Sequence, residues 1–364
     1  MRAPKKPLAN ANVFIANSLL GDATNELGYF IIRKVPAGTY EIVVSVIGYQ
    51  VEKQVIRITS DFKKELIFKL TPKAIPLQEV VVSARDAQEW RKNLKKFTEL
   101  LIGKSRNASA TKILNPHVLE FSKTKFGVFK AVAKEPIFIE NQALGYKLYY
   151  VLEHFEATSQ YIKYSGIPKF EELIPGTREQ FNKWQQNRVA AYNGSLRHFI
   201  TTICENYDLT KGDVEDRRCK LTADMNERGI KKDYQHQGYI EAQGFHVLWI
   251  NHPWNYPQFY ELVNTNTYLF PGQIATERYL KFSDYLLVRY TREEPDENYY
   301  QYTSGSKRQH VQISWMKLEA DSVIIDTKGR YCDKFKINTL GYWSWERLAD
   351  MVPLDYTPDT HENY

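Results

Sequence analysis

From Asn12 to Leu70 the apolar positions fall in short runs of alternating character, broken at regular intervals by Gly, Pro, Asn and Asp. Asn12 to Ala16, Tyr29 to Arg33, Tyr40 to Ile47, Val51 to Ile58 and Glu65 to Leu70 are rich in β-branched and aromatic residues, which predicts antiparallel strands. Leu66, Phe68 and Leu70 alternate with Glu65, Ile67 and Lys69, so one face of that strand is fit for a core and the other is mixed. The breaks have a mechanism: Asn25 to Gly28 suits a tight turn with Gly at positive φ, and Pro36-Ala37-Gly38 presets φ and then relaxes it. Together these strands predict a small β-sandwich.

The pattern then changes. Pro72, Pro76 and Leu77 to Ala84 read as an extended exit segment. Asp86 reads as the cap of a helix with Trp90, Leu94, Phe97 and Leu101 on one stripe. Beyond it, strand-like runs recur at His117 to Lys134, Ile137 to Asn141, Tyr146 to Phe155, Tyr161 to Tyr164, Phe245 to Ile250, Ala275 to Thr291, Val311 to Leu318 and Val323 to Asp326. A capping box at Thr177-Arg178-Glu179-Gln180 opens a helical region carrying Phe181, Trp184, Val189, Tyr192, Leu196, Phe199, Ile200 and Ile203. Asn193-Gly194-Ser195 is expected to kink or divide it. A last helix, Trp343 to Met351, is expected to stop before Pro353. The expected fold is therefore multidomain: an all-β sandwich over 1–72, a linker or exit strand over 73–85, a connecting helix over 86–103, and over 104–364 a larger α+β, mainly antiparallel domain.

Composition agrees with a folded β-rich chain. The 364 residues exceed one usual domain, and 25 Tyr and 18 Phe stand against 4 Met. Net charge is +6, with 49 basic and 43 acidic residues interspersed, so no basic face or block marks a nucleic-acid partner. The basic start, Met1 to Lys6, is a solvated terminus or a weak membrane contact. No stretch approaches the ~20 apolar residues of a spanning helix, and no signal peptide precedes the first strand. Cys204, Cys219 and Cys332 are too few and irregular for a zinc site or a disulfide scaffold, although one bridge between Cys204 and Cys219 is open in an oxidising compartment.

The combined spacing of Asn25-Glu26-Leu27-Gly28-Tyr29-Phe30, Val35-Pro36-Ala37-Gly38-Thr39-Tyr40 and Ile47-Gly48-Tyr49 resembles the carboxypeptidase regulatory-like domains of prealbumin-like fold, over roughly residues 5 to 72. Such domains are common in envelope proteins of the Bacteroidota. The resemblance implies a non-catalytic module, and it implies a first strand of the form Gly-x-Val-x-Asp that this chain begins too late to show. Glu79 to Ala84 looks like the segment that follows such a domain in outer-membrane receptors driven by the TonB energy-coupling protein, but neither plug nor barrel follows here. The competing reading is a last strand leaving the sandwich. Tyr164-Ser165-Gly166-Ile167-Pro168 through Asn187-Arg188 resembles poorly characterised Bacteroidota proteins, a likeness that brings no active residues with it. Asp321-Ser322-Val323 resembles the three-residue O-glycosylation sites of envelope proteins of that group.

Several constellations suggest chemistry. His117-Val118-Leu119-Glu120, with His246 or His252, imitates the His-x-x-Glu of zinc carboxypeptidases. His117 to Phe121 reads as a strand, however, and there positions i and i+3 face opposite sides. Trp249-Ile250-Asn251-His252-Pro253-Trp254-Asn255-Tyr256-Pro257 offers Trp249, His252, Trp254 and Tyr256 as a surface that stacks on sugar rings, or else as an irregular loop that plugs the rim of a core. Arg188 and Arg197 give the long helix a polar side, fit for a partner protein or simply solvated. Cys204 reads as a buried apolar residue. No nucleophile elbow, Walker loop or dinucleotide fingerprint is present.

The expectation is a non-enzymatic interaction protein without cofactor or metal, peripheral and not membrane-spanning. It is expected to be periplasmic or outer-membrane-associated, with an outer-membrane barrel or its lipoprotein partner as ligand and no nucleic acid. Glycan binding through 249–256 is the alternative, and a zinc carboxypeptidase-like hydrolase stands third.

Overall fold

The computed structural model describes residues 6–58, 65–73, 84–205, 219–221, 244–253, 260–262, 265–302, 310–331 and 335–358. The chain forms two compact units. The first holds Met1–Ile102, Ala110–Trp184 and Pro353–Thr357, and the second Gly103–Ser109, Gln185–Val352 and Pro358–Tyr364. The sandwich is therefore grouped with the sheet that follows it, whereas sequence alone expects a boundary near 104.

An N-terminal antiparallel β layer is followed by a larger α+β region whose sheets are also antiparallel. In the first unit, β1 (Asn12–Ile15), β2 (Gly21–Ala23), β3 (Gly38–Ser45) and β4 (Glu52–Ile58) form one sheet in the order β2-β1-β3-β4. Its register sets Val13 against Val44 and Phe14 against Val43. Because side chains alternate along a strand, Val13 and Ile15 join Tyr40, Ile42, Val44 and Ile56 in one core, while Phe14, Ala16 and Val43 face the other way. Burial on both faces explains why β1 reads as a continuous apolar run. Tyr29 to Arg33 and Glu65 to Leu70, expected as strands, take part in no sheet among the described residues. They cover the first core with half-buried Phe30, Ile32, Val35, Leu66, Phe68 and Leu70.

The second face of the sheet packs on the rest of the unit. Helix α1 (Ala84–Ile102) begins two residues before Asp86, the residue expected to cap it. The sheet comprises β5 (Thr111–Ile113), β6 (Leu119–Lys123), β7 (Phe129–Ala133), β8 (Ile137–Asn141), β9 (Tyr146–Ala157) and β10 (Ile162–Glu172), in the order β5-β8-β9-β7-β6 with β10 along β9. Helix α1 lies on it through the predicted stripe, with Phe97 4.7 Å from Phe155 and 5.6 Å from Phe121, and Trp90 Nε1 donating to Leu119 O at 3.0 Å. Val151 of β9 and Ile167 of β10 close a core around Phe14, Ala16 and Val43. Polar bonds tie the same two layers: Asn17 N donates to Pro168 O at 2.7 Å, and Phe170 N to Ser18 O at 2.9 Å.

Helix α2 (Arg178–Tyr192) opens with the expected cap, Gln180 N donating to Thr177 Oγ1 at 3.1 Å. The Gln180 side chain reaches back one residue further than a standard box, accepting from Gly176 N at 2.8 Å. Gly194, at φ +70°, separates α2 from α3 (Leu196–Glu205), as expected for Asn193-Gly194-Ser195.

In the second unit α3 supplies Phe199, Ile200 and Ile203 to a core shared with two sheets. One comprises β11 (Cys219–Leu221), β12 (Phe245–Ile250), β13 (Tyr260–Leu262), β16 (Tyr285–Tyr290), β17 (Gln312–Leu318) and β19 (Ile337–Gly341), in the order β11-β13-β12-β16-β17-β19. The other comprises β14 (Leu269–Pro271), β15 (Glu277–Leu280) and β18 (Val323–Asp326). Short helices α4 (Glu297–Tyr302) and α5 (Tyr342–Trp345) follow β16 and β19 in the chain. The expected terminal helix is α5 plus a separate 3-10 turn at Leu348–Asp350. No described helix is long and apolar enough to cross a membrane.

Candidate interaction surface

The outward side of the sandwich holds a set of large apolar side chains in water. Alternation turns Phe30 and Ile32 inward, and so leaves Leu27, Tyr29 and Ile31 69, 67 and 60% exposed. Ile67, between inward Leu66 and Phe68, is 75% exposed. Phe30 and Phe68 bring the two segments together, with ring centroids 6.2 Å apart. Scattered exposed apolar residues are ordinary on a protein surface, but several on two adjoining segments form a candidate contact face. The sequence carried the alternation that reveals these positions, and the outer residues were passed over because the inner ones define the strand.

The residues singled out from sequence do not converge. Arg188 is only 5% exposed, so it belongs to the interior rather than to a solvated helix face. Arg197 donates Nε–H to Lys328 O at 3.1 Å and lies over the Tyr192 ring at 5.2 Å, work that fastens α3 to the segment after β18. Trp249 is half-buried on β12, between Leu286 of β16 and Glu261 of β13, and His252 is exposed just beyond the strand. Trp254 and Tyr256 lie outside the described residues, as does the stretch from Glu79 to Ser83.

The zinc-like motif is not built as sequence suggested. His117 sits in a 3-10 turn, Pro116–Val118, and Glu120 is the second residue of β6 with its carboxylate 2.5 Å from Lys134 Nζ. Among the described residues no group of three or more His, Cys, Asp or Glu is placed to hold a metal ion. Cys204 is a buried free thiol, so the bridge to Cys219 is not formed. Burial pushes that thiol up to about 12, away from the thiolate a nucleophile requires.

Titratable groups in the second unit are shifted by burial, not by pairing into an acid–base relay. Burial, and then Arg292 and Arg197, bring His198 down to about 4. Its Nδ1 accepts from Gly194 N at 3.1 Å, and its ring packs 4.8 Å from both Tyr192 and Phe245. Four carboxylates belong to a second cluster. Asp350 accepts from Ser105 Oγ at 2.7 Å and Asn107 Nδ2 at 3.0 Å; Asp296 takes Arg106 Nε at 3.2 Å. Burial pushes Asp350 up to about 6, against the pull of those hydrogen bonds. It also raises Glu346 well above the usual range, reinforced by Asp350 and Glu293, and raises Glu293. Such shifts mark functional sites only when reacting groups are brought together around a cleft, and here His198, Asp350 and Glu293 each take part in hydrogen bonds that hold segments of the fold.

Residues 2–82 match the CarboxypepD_reg-like domain, so the sandwich is a carboxypeptidase regulatory-like domain, a regulatory and non-catalytic module. No curated protein and no solved structure matches the chain.

Proposed function

We propose that the chain is a non-enzymatic interaction protein of the cell envelope, an accessory or docking subunit of an outer-membrane complex. The observation that carries this is the conjunction of a regulatory-like domain with exposed Leu27, Tyr29, Ile31 and Ile67 on its outer side. An apolar face of this kind is costly to leave in water and is suited to a partner. These residues lie on segments that cover one face of the β1–β4 sheet, and the other face of that sheet is taken up by β9 and β10, so the domain is held by its back and offers its front. The partner in this reading is an outer-membrane barrel or its lipoprotein, met on the periplasmic or outer-membrane side without a membrane-spanning segment. Affinity purification of the tagged chain from its native envelope is expected to retrieve that barrel or lipoprotein. Recovery of the chain alone, as a soluble monomer, would remove the reading.

Glycan binding is the second reading, favoured by the exposure of His252 and by the half-buried Trp249 in the aromatic segment 249–256. Binding on a glycan array that is lost on Trp254→Ala supports it, and an array without signal ends it.

A further inference from the structure

The second sheet of the first unit carries a hairpin that holds one aromatic ring in water. Between β6 and β7 the turn Thr124-Lys125-Phe126-Gly127 is closed by Gly127 N donating to Thr124 O at 2.9 Å, Thr124 N to Val128 O at 3.0 Å, and Val128 N to Thr124 Oγ1 at 3.1 Å. Gly127, at φ +81°, takes the left-handed corner of the turn. Lys125 and Phe126 form its apex, and Phe126, 95% exposed, is the most exposed large apolar side chain among the described residues. A turn tied at three points gives that ring no course back to the sheet. A lone exposed apolar residue is ordinary on a protein surface, and what singles this one out is the charge around it.

Charge is interspersed over the chain as a whole, but not here. Residues 91–98 carry Arg91, Lys92, Lys95 and Lys96, residues 121–130 carry Lys123, Lys125 and Lys130, and neither stretch contains an acidic residue. All of these basic side chains are exposed. The fold sets the two stretches side by side: Phe121 of β6 lies 5.6 Å from Phe97 and 6.1 Å from Trp90 of α1, and Lys96 Nζ stands 4.7 Å over the Phe129 ring. Lys123 is the register partner of Phe129, and its Cε comes within 3.9 Å of the place a Cβ on Gly127 would take, so its side chain runs along the turn. Among the described residues none of these basic groups is in an ion pair, whereas Lys134, just past the far end of β7, is engaged with Glu120.

A narrow apolar apex among long cationic side chains fits a soft anionic surface. A folded protein partner needs a broad patch, about 800 Å² a side, and a two-residue apex does not offer one. Single-stranded nucleic acid is held by successive aromatic side chains that each stack a base, and this apex has one ring. A bilayer demands neither breadth nor repetition: a ring enters the acyl boundary while lysine stems lie along it and their ammonium groups stay at the phosphates. We propose that the β6–β7 apex and the exposed side of α1 dock the chain onto an anionic lipid surface, with Phe126 entering the bilayer and the surrounding Lys and Arg contacting lipid phosphates. This surface shares no residue with the sandwich front on which the docking reading rests, and it needs no membrane-spanning segment.

The probes are vesicles of phosphatidylcholine alone and vesicles in which about a third of the lipid is phosphatidylglycerol, mixed with the full chain and sedimented. Binding to the anionic vesicles is expected to exceed binding to the neutral ones about tenfold or more, and to be lost as salt rises toward about 0.5 M. The double variant Lys123→Glu, Lys125→Glu is expected to lower the affinity about tenfold or more, and Phe126→Ser about threefold. The pair Lys112→Glu, Lys281→Glu makes the same change in net charge elsewhere, Lys112 lying on β5 at the opposite edge of the sheet, and is expected to leave the affinity within about twofold of the parent. Matching thermal midpoints check that the variants fold, and the comparison of lipids on the parent chain stands whether or not they do. Equal sedimentation with both kinds of vesicle overturns the proposal, as does full binding by either hairpin variant or an equal loss in the charge-matched pair. Tighter binding to a single-stranded oligonucleotide than to the anionic vesicles overturns it as well.

Discussion

Tyr149 meets Phe14 edge to face with ring centroids 6.0 Å apart, and its hydroxyl lies 2.9 Å from Ser45 Oγ, so one side chain of β9 grips two strands of the sandwich. Phe14 is fully buried, and its loss leaves a cavity between two sheets. Phe14→Ala is expected to cost about 3–5 kcal/mol, and Tyr149→Phe, which removes only the hydroxyl bond, about 1 kcal/mol. A double-mutant cycle with Phe14→Leu and Tyr149→Leu, followed by denaturant unfolding, should return a coupling of about 0.5–1.5 kcal/mol. Additive losses would mean that the rings do not act on each other.

The same packing bears on whether the sandwich stands alone. Cut out as residues 6–73, it would expose Phe14, Ala16 and Val43 on one face and keep its half-covered core on the other. The fragment is expected to bind more hydrophobic dye than the full chain and to aggregate in size-exclusion runs where the full chain does not. A monomeric fragment that unfolds as cooperatively as the full chain would show that the β9–β10 face adds nothing.

How far the sequence foretold the fold follows from where each residue faces. Phe245–Ile250 and Val323–Asp326 were legible to the residue because they are short apolar runs bounded by polar breaks. The pairing of the sandwich with β9 and β10 was not legible, since Phe14 and Val43 sit in strands whose apolar run is equally compatible with one buried face or two. Arg188 was misplaced for a related reason: helical periodicity assigns an Arg to the wet side, and only the tertiary structure buries it. The candidate contact face was half legible, through the alternation of 29–33 and 65–70.

Gly166 explains part of the segment Tyr164-Ser165-Gly166-Ile167-Pro168 in physical terms. The β9–β10 register shifts between Ser165 and Gly166, and a Cβ on Gly166 would fall 2.3 Å from Cζ of the buried Tyr150 ring. Tyr150 is held in the core and has nowhere to swing. Gly166→Ala is expected to destabilise by about 1–3 kcal/mol or more, and a Tyr150→Leu background should recover much of that by vacating the space. Equal thermal midpoints for Gly166→Ala and the parent would contradict the close approach.

Asp350 and His198 pull the stability of the second unit in opposite directions with pH. The carboxyl of Asp350, raised by burial to about 6, favours its proton in the folded chain. Its contribution is therefore full below its unfolded pKa of about 4 and is lost as pH rises through 6, an effect of at most about 3 kcal/mol. His198, lowered by burial to about 4, favours the neutral ring in the folded chain, so its contribution is full above about 6.5 and is lost as pH falls toward 4. Between those limits the two oppose each other, while Glu346 and Glu293, raised by burial in the same direction as Asp350, add to the loss as pH rises. Asp350→Asn keeps an acceptor for Ser105 and Asn107 while removing the ionisation. Its thermal midpoint relative to the parent should therefore rise from pH 5 to pH 7.5, because the variant no longer pays for ionising Asp350 in the folded chain. A His198 ring resonance that titrates near 6.5 in the folded chain, or an Asp350→Asn profile parallel to that of the parent, would show that burial does not set these protons.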